Sequence, residues 1–265
     1  MYQEQPLKLG KLYGNRFIVT LRDITADQAS VDRMVQQWTQ HGFLNYFGLQ
    51  RFGSNSIKTH QIGIALLKSD WKQAIDLLLL PRPGDRADVH LARQTWQETS
   101  DATKAQALFP TFCHAERQIL SHLAKGTNQN DFSGALRVIP HHLKSMYLHA
   151  YQSYVWNNAV NHRLDTYGTD DLVAGDLVLV PKKSEAQPEA NGTTDASTPL
   201  AYQASEDMQV KVYDPDTMAN DGFTLNDLVL PLPGFDVTYP TNSVGQFIQD
   251  FMARDGLDPQ SMERN

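Results

Sequence analysis

The 265-residue chain is 41% hydrophobic and 20% charged, with a formal net charge of -7, which suffices for a sizeable core and one or two domains. That balance excludes a globally basic nucleic-acid coat, though not a local basic cleft, and the lone Cys113 excludes an intramolecular disulfide or a Cys-rich zinc site and reads as a small core residue. No apolar run reaches the roughly 18 residues of a membrane span, and the start MYQEQPLKLGK is unlike a signal peptide, so the chain reads as soluble and intracellular.

Residues 15–22 alternate, with Phe17, Val19 and Leu21 against Arg16, Ile18, Thr20 and Arg22, and predict a strand with one mostly apolar face. Val31, Met34, Val35 and Trp38 fall at helical spacing, with Asp27 or Ser30 as the cap. Residues 45–53, NYFGLQRFG, fit neither pattern. Residues 61–67 and 71–80 predict two helices split by Ser69-Asp70, and the run Pro81-Arg82-Pro83-Gly84-Asp85 ends the second. From 89 to 123 the pattern is mostly helical, broken at Phe109-Pro110. Residues 143–164 form the longest helical candidate, with Met146, Ala150, Tyr154, Ala159 and Leu164 directed inward. Residues 175–180 read as a turn and a short strand. Large apolar groups nearly vanish from 182 to 206, which predicts a disordered insertion, since such a segment buries too little to offset its ordering entropy. Strand character resumes at 209–213, and ordered structure continues through 229–234. Strands and helices without regular alternation favour an α+β fold over a doubly wound sheet.

Little of the familiar catalytic vocabulary is present. The histidines at 141, 142, 149 and 162 lack a completing carboxylate or cysteine, and ordinary hydrogen bonding explains them better than a metal. Neither GxGxxG, GxxxxGK[ST] nor GxSxG occurs. Tyr147, Tyr151 and Tyr154 share one helical stripe and read as core with their hydroxyls partnered at its edge, rather than as a platform for bases. NYFGLQRFG is different. Its two glycines permit turns or close approach, and between them lie rings that stack on a base, amides that bond its edge and an arginine for phosphate. By chemistry alone, a structural turn with an aromatic anchor and a nucleobase pocket both fit.

The same nine residues resemble the signature of the TruD-type pseudouridine synthases. Residues 9–17, LGKLYGNRF, with Leu21-Arg22, are similar to the strand that precedes that signature. Residues 147–157 are similar to the family's aromatic helix, and 229–240, VLPLPGFDVTYP, with Asp255-Gly256-Leu257, to segments of its eukaryotic branch. The resemblance implies part of the family's mixed catalytic sheet over about 1–66 and a large inserted α+β domain over 67–265, with the disordered loop inside it. It implies isomerisation of uridine to its C-glycoside in RNA, without cofactor or metal: an aspartate starts cleavage of the glycosidic bond, and the uracil is rotated and rejoined through carbon. Asn45 matches the asparagine that positions the aspartate, and Phe47 the aromatic that packs on the target base. Arg22, Tyr46, Gln50 and Arg51 are candidate RNA contacts. The implied partners are tRNA, small nuclear RNA or messenger RNA, with no membrane, in a nuclear or cytoplasmic setting.

One departure matters. The family's aspartate lies in a G-x-K-D-x-x-A-x-T-x-Q motif ahead of the segment at Gly14, and this sequence carries no counterpart there. Residues 100–106, SDATKAQ, share some of its residue types but follow the signature, so Asp101 reads as a surface or capping residue and no catalytic residue is assigned. The family also continues past DGLDP into further strands, whose absence leaves sheet edges unpaired. The expectation is a partial synthase, enzymatic by family and inactive by itself. The alternative is a catalytically silent RNA-binding module.

Overall fold

A computed structural model of the protein describes residues 16–54, 56–127, 129–181, 208–218, 221–259 and 262. The predicted insertion at 182–206 and the N-terminal part of the LGKLYGNRF segment lie outside the described residues. Helix α1 (Gln28–His41) starts where Asp27 accepts a hydrogen bond from the Ser30 amide, and it ends at Gly42. A single turn, α2 (Leu49–Phe52), lies inside NYFGLQRFG. Six helices then follow: α3 (Thr59–Leu67), α4 (Trp71–Leu79), α5 (Ala87–Thr99), α6 (Ala102–Leu108), α7 (His114–Leu123) and α8 (Phe132–Arg137). Asp70 caps α4 through the Gln73 amide, and Asp101 caps α6 through the amides of Thr103 and Lys104. Asp101 is therefore the capping residue the sequence indicated. The helical run 89–123 breaks at Ser100, whose φ is positive, as well as at Phe109.

The long helix α9 (His141–Tyr167) runs without Gly or Pro from Pro140 to Gly168. After it come β1 (Leu177–Pro181), β2 (Met208–Val212), the short α10 (Pro215–Met218), β3 (Leu228–Val229) and α11 (Ser243–Arg254). The strands form one antiparallel sheet in the order β2-β1-β3, with Leu177 opposite both Val212 and Val229. The chain is thus mixed α+β, but its sheet lies late in the sequence. Residues 16–22 have no strand partner among the described residues, and Phe17, Ile18, Val19 and Leu21 are exposed. Alternation marks a strand only when a second backbone accepts its hydrogen bonds, and none pairs with it among the described residues. The stripe Met34, Val35 and Trp38 on α1 is likewise exposed. Met146, expected inward, is 40% exposed because the buried face of α9 is set by Tyr147, Ala150, Tyr151 and Val155.

Two hydrophobic clusters share α3 and α9 as their common wall. One gathers Ile62, Ala65, Ile75, Leu79, Trp96, Leu120 and Tyr147 with the rest of α4 to α8, and includes Cys113. The other gathers Tyr151, Val155 and Ala159 with Val244, Ile248 and Met252 of α11, against Ile64 and Leu67. The helices approach closely because position 63 is glycine: a Cβ there would overlap the Tyr147 carbonyl oxygen and crowd Tyr151. A buried ion pair ties the end of α9 to the start of the sheet. Arg163 donates to Asp176 at 2.9 Å and to the carbonyls of Gly168 and Asp171, and Asp176 also accepts from the Asn242 side chain. Satisfying both charges so fully is what makes their burial tolerable.

Gly63→Ala forces backbone apart rather than a flexible side chain. It is expected to destabilise the chain by at least about 1–3 kcal/mol, read as a lower urea midpoint; an unchanged midpoint would show that α3 and α9 shift without cost.

Candidate nucleic-acid interface

NYFGLQRFG is held against α9 by its backbone. The Asn157 side chain works as a two-sided clamp, its Oδ1 accepting from the Phe47 amide at 3.0 Å and its Nδ2 donating to the Phe47 carbonyl at 2.9 Å. One turn further along α9, Asn161 Oδ1 accepts from the Tyr46 hydroxyl at 2.5 Å. The clamp compensates two peptide groups that no sheet or long helix satisfies at that point. The chain enters α2 from Gly48 in an extended conformation, and Gly53, at φ 75°, ends that turn in a conformation that favours glycine.

The side chains are placed accordingly. The Phe47 ring stands nearly perpendicular to Trp156, with centroids 5.4 Å apart, and the Arg51 guanidinium lies over one face of it at 5.3 Å. Both contacts are favourable, through the ring quadrupole and as a cation–π pair. Trp156 is itself anchored by donating its Nε1 hydrogen to the Leu230 carbonyl at 3.1 Å. Arg51 has no ion-pair partner among the described residues, so its charge is available to an anion. Asn45 is exposed and its amide has no hydrogen-bond partner among the described residues. Gln50 is exposed on α2 in the same way. Arg22 sits on the extended N-terminal segment and shares no hydrogen bond, ion pair or ring contact with the motif. The structure therefore brings Tyr46, Phe47 and Arg51 together on α9, leaves Asn45 and Gln50 on the open side, and does not join Arg22 to them.

The second half of the motif rests on His60. Phe52 meets the imidazole edge-on at 5.9 Å, and the imidazole stacks on Tyr154 at 4.0 Å with the rings 6° from parallel. Thr59 Oγ1 donates to the Phe52 carbonyl. His60 Nδ1 is buried and has no hydrogen-bond partner among the described residues. Burial holds the imidazole below its ordinary pKa of 6.5, with Asp255 pulling it up and Lys58 pushing it down. The tyrosine stripe behaves as core. Tyr147 and Tyr151 are buried, the Tyr151 hydroxyl donates to Asp255 at 3.0 Å, and Tyr154 is spent on His60. Burial pushes the Tyr147 phenol up to about 12 and Tyr151 higher still, so neither acts as an acid or base near neutral pH. Burial also raises the Cys113 thiol, which keeps it protonated and unreactive.

The hydrogen-bond and ring partners of Phe47 are Asn157, Trp156 and Arg51, and none is a carboxylate. Among the described residues, no three His, Cys, Asp or Glu side chains are grouped to hold a metal ion, and no helix is long and apolar enough to cross a membrane. Asn157, Asn161, Trp156 and His60 were not singled out by sequence. Trp156 and Asn157 stood in the aromatic stretch of α9, yet nothing local linked them to residues 110 positions away.

Comparison with known proteins adds an independent line. The family description "tRNA pseudouridine synthase D (TruD)" matches residues 1–265. The chain is 40% identical to multisubstrate pseudouridine synthase 7 of Schizosaccharomyces pombe over 99% of its length, and 36% identical to the human pseudouridylate synthase 7 homolog over 98%. It spans only 38% and 35% of those two relatives. The crystal structure of a TruD-type protein from Methanosarcina mazei superposes with a TM-score of 0.68 at 24% identity, covering 90% of this chain and 52% of the archaeal one, a likeness of fold.

Two outcomes check the site. Asn157→Ala leaves the Phe47 amide and carbonyl without partners and is expected to cost about 1–3 kcal/mol, with faster tryptic cleavage at Arg51 as the motif loosens. His60 carries a depressed pKa, so its contribution is present above the unfolded value of 6.5 and is lost as acidification protonates first the unfolded chain and then the buried ring. The urea midpoint should therefore fall between pH 7.5 and 5.5, and His60→Phe, which keeps a ring against Tyr154, should flatten that fall.

Proposed function

The chain belongs to the TruD family of tRNA pseudouridine synthases, and from that premise we propose that it takes part in converting uridine to pseudouridine in RNA by holding the target base at NYFGLQRFG. One observation carries the reading. The Phe47 backbone is clamped by Asn157 while its ring is steadied by Trp156 and Arg51, which gives a preorganised aromatic surface on an otherwise rigid helix. A base removed from its stack needs a ring to lie on and polar groups for its edge. The partly exposed Phe47 offers the ring, and the unpartnered Asn45 amide offers the edge. Arg51, lying over Phe47 and free of a carboxylate partner among the described residues, suits the phosphate beside the flipped nucleotide. Gln50 and Tyr46 flank that path, and Arg22 is a more distant contact of the strand.

The isomerisation itself requires a carboxylate at the sugar. The 265 residues contain no G-x-K-D-x-x-A-x-T-x-Q sequence, and Asp101 is committed to capping α6. Our reading is that this chain supplies the base-holding part of the site. Residues 1–66 are assigned to the catalytic unit and 67–265 to the inserted unit, with α3 at the boundary packing chiefly on α4 and α9 of the inserted unit. The RNA is most simply tRNA, and the multisubstrate description of the fission-yeast relative leaves room for other RNAs.

Two measurements test this. Incubation with uridine-containing tRNA, scored for pseudouridine, should give no turnover by these residues alone; robust turnover would refute the assignment of the carboxylate elsewhere. Binding to a uridine-containing single strand should weaken with salt, and Phe47→Ala should remove about 1–3 kcal/mol, the value of one base–aromatic stack. Unchanged binding by Phe47→Ala would remove the base-holding role.

A further inference from the structure

A second recess lies on the same side of α9. It is a cavity of about 750 Å³, bounded by Ser145, His149 and Gln152 of α9, Lys68 just after α3, and Phe235 and Gly256 from two loops. That volume is within the range of about 300–1,000 Å³ usual for small-ligand sites. Positions 145, 149, 152 and 156 form one stripe on the helix, so the recess continues the line that begins at Trp156 beside Phe47. From Trp156 to Gln152 and His149 is about 6–10 Å along the axis at 1.5 Å per residue, a reach of one or two nucleotides in an unstacked strand.

The chemistry of the walls is specific. Phe235 is 62% exposed, a large ring left open on a loop otherwise anchored by prolines. Pro233 has no amide hydrogen, and its carbonyl accepts from Gln152 Nε2 at 2.7 Å. That bond fixes the orientation of the amide and leaves Gln152 Oε1 as an acceptor for a donor on a base edge. Lys68 has no ion-pair partner among the described residues. Its ammonium lies against Gly256, where a Cβ would come within 3.1 Å of Nζ. The His149 imidazole is exposed beside it and has no hydrogen-bond partner among the described residues. Asp258 also lines the recess, and beside it an open ring, an oriented amide acceptor and a cation without an ion-pair partner among the described residues form the set that recognises a nucleotide.

We propose that this cavity is a subsite for a nucleotide flanking the target uridine, its base stacked on Phe235 and bonded to Gln152, its phosphate near Lys68. The inference rests on the RNA reading of NYFGLQRFG. Its consequence is that selectivity for the neighbourhood of the modified uridine resides partly on the 229–240 loop, apart from the residues that hold the target base.

The test uses the whole 265-residue chain and a 12-nucleotide single-stranded RNA with one uridine, followed by fluorescence anisotropy. Phe235→Ala should weaken binding roughly five- to a hundredfold, the range for one lost base stack, Phe235→Tyr should restore it, and Lys68→Ala should weaken it while lowering the salt dependence. With 4-thiouridine placed one or two positions from the uridine, photocrosslinks should map to 229–240 or to the first half of α9. If Phe47→Ala weakens binding but Phe235→Ala and Lys68→Ala do not, the subsite is refuted and the base-holding role stands. If the wild-type chain does not bind the oligonucleotide, or Phe47→Ala leaves binding unchanged, the RNA reading fails and the subsite with it.

Discussion

The close approach of α3 to α9 is the constraint on which the rest of the structure depends. Gly63 lets one helix backbone lie against the Tyr147 carbonyl of the other, and the residues on either side of that contact feed two different cores. Ile62 and Ala65 turn toward the helical cluster of α4 to α8, while Ile64 and Leu67 turn toward α11. A helix so placed is buried on most of its circumference, which explains why its sequence is apolar nearly all round. α9 is the longer partner, and its position determines where everything attached to it must sit.

The candidate site inherits its geometry from that pair. Phe47 and Tyr46 are fastened to α9 by the side chains of Asn157 and Asn161, and Phe52 rests on His60, which α3 supplies and Tyr154 of α9 stacks against. A nine-residue stretch with little secondary structure of its own thus acquires a defined conformation from two helices. Side-chain amides do there what a neighbouring strand would otherwise do for the backbone. The same helix carries Trp156 and Gln152, which pin the 229–240 segment through the carbonyls of Leu230 and Pro233. One rigid element therefore organises both the signature and the loop bearing Phe235.

The electrostatics separate structural charges from available ones. Arg163 with Asp176 is a fully buried pair, and the buried Arg93 pairs with Asp85 and the partly exposed Glu116, while both arginines also donate to backbone carbonyls. They join elements of the fold. Arg51 and Lys68 are cations without such partners among the described residues; Arg51 lies over the Phe47 ring and Lys68 lines the same cavity as Phe235. With a net charge of -7 overall, attraction for a polyanion depends on local cations of this kind rather than on the whole molecule.

Much of the helical architecture was legible in the chain itself. Apolar spacing located α1, α4 and α9, Asp27 and Asp70 cap the first two, and the Pro81–Pro83 run marked an end, because these signals act within a few residues. Strand pairing acts over distance, and there the reading was weaker. Residues 175–180 and 209–213 became β1 and β2, whereas the equally regular 15–22 has no partner among the described residues. The helix α11 went unread despite Val244, Ile248 and Met252 at i, i+4 and i+8 after a capping Asn242. The family and its signature were legible because the residue types of NYFGLQRFG are unusual enough to identify.

By itself, then, the sequence determined local propensity, caps and the identity of the nine-residue signature, all of which depend on neighbours along the chain. Only the tertiary structure decided that Asn157 and Asn161 hold that signature, and that Lys68, Gln152 and Phe235 share one cavity. Those placements join residues far apart in numbering, such as Phe47 and Asn157, 110 positions from each other. Such contacts form only because folding buries apolar surface in one particular packing, and no local rule of spacing encodes which distant side chains that packing brings together.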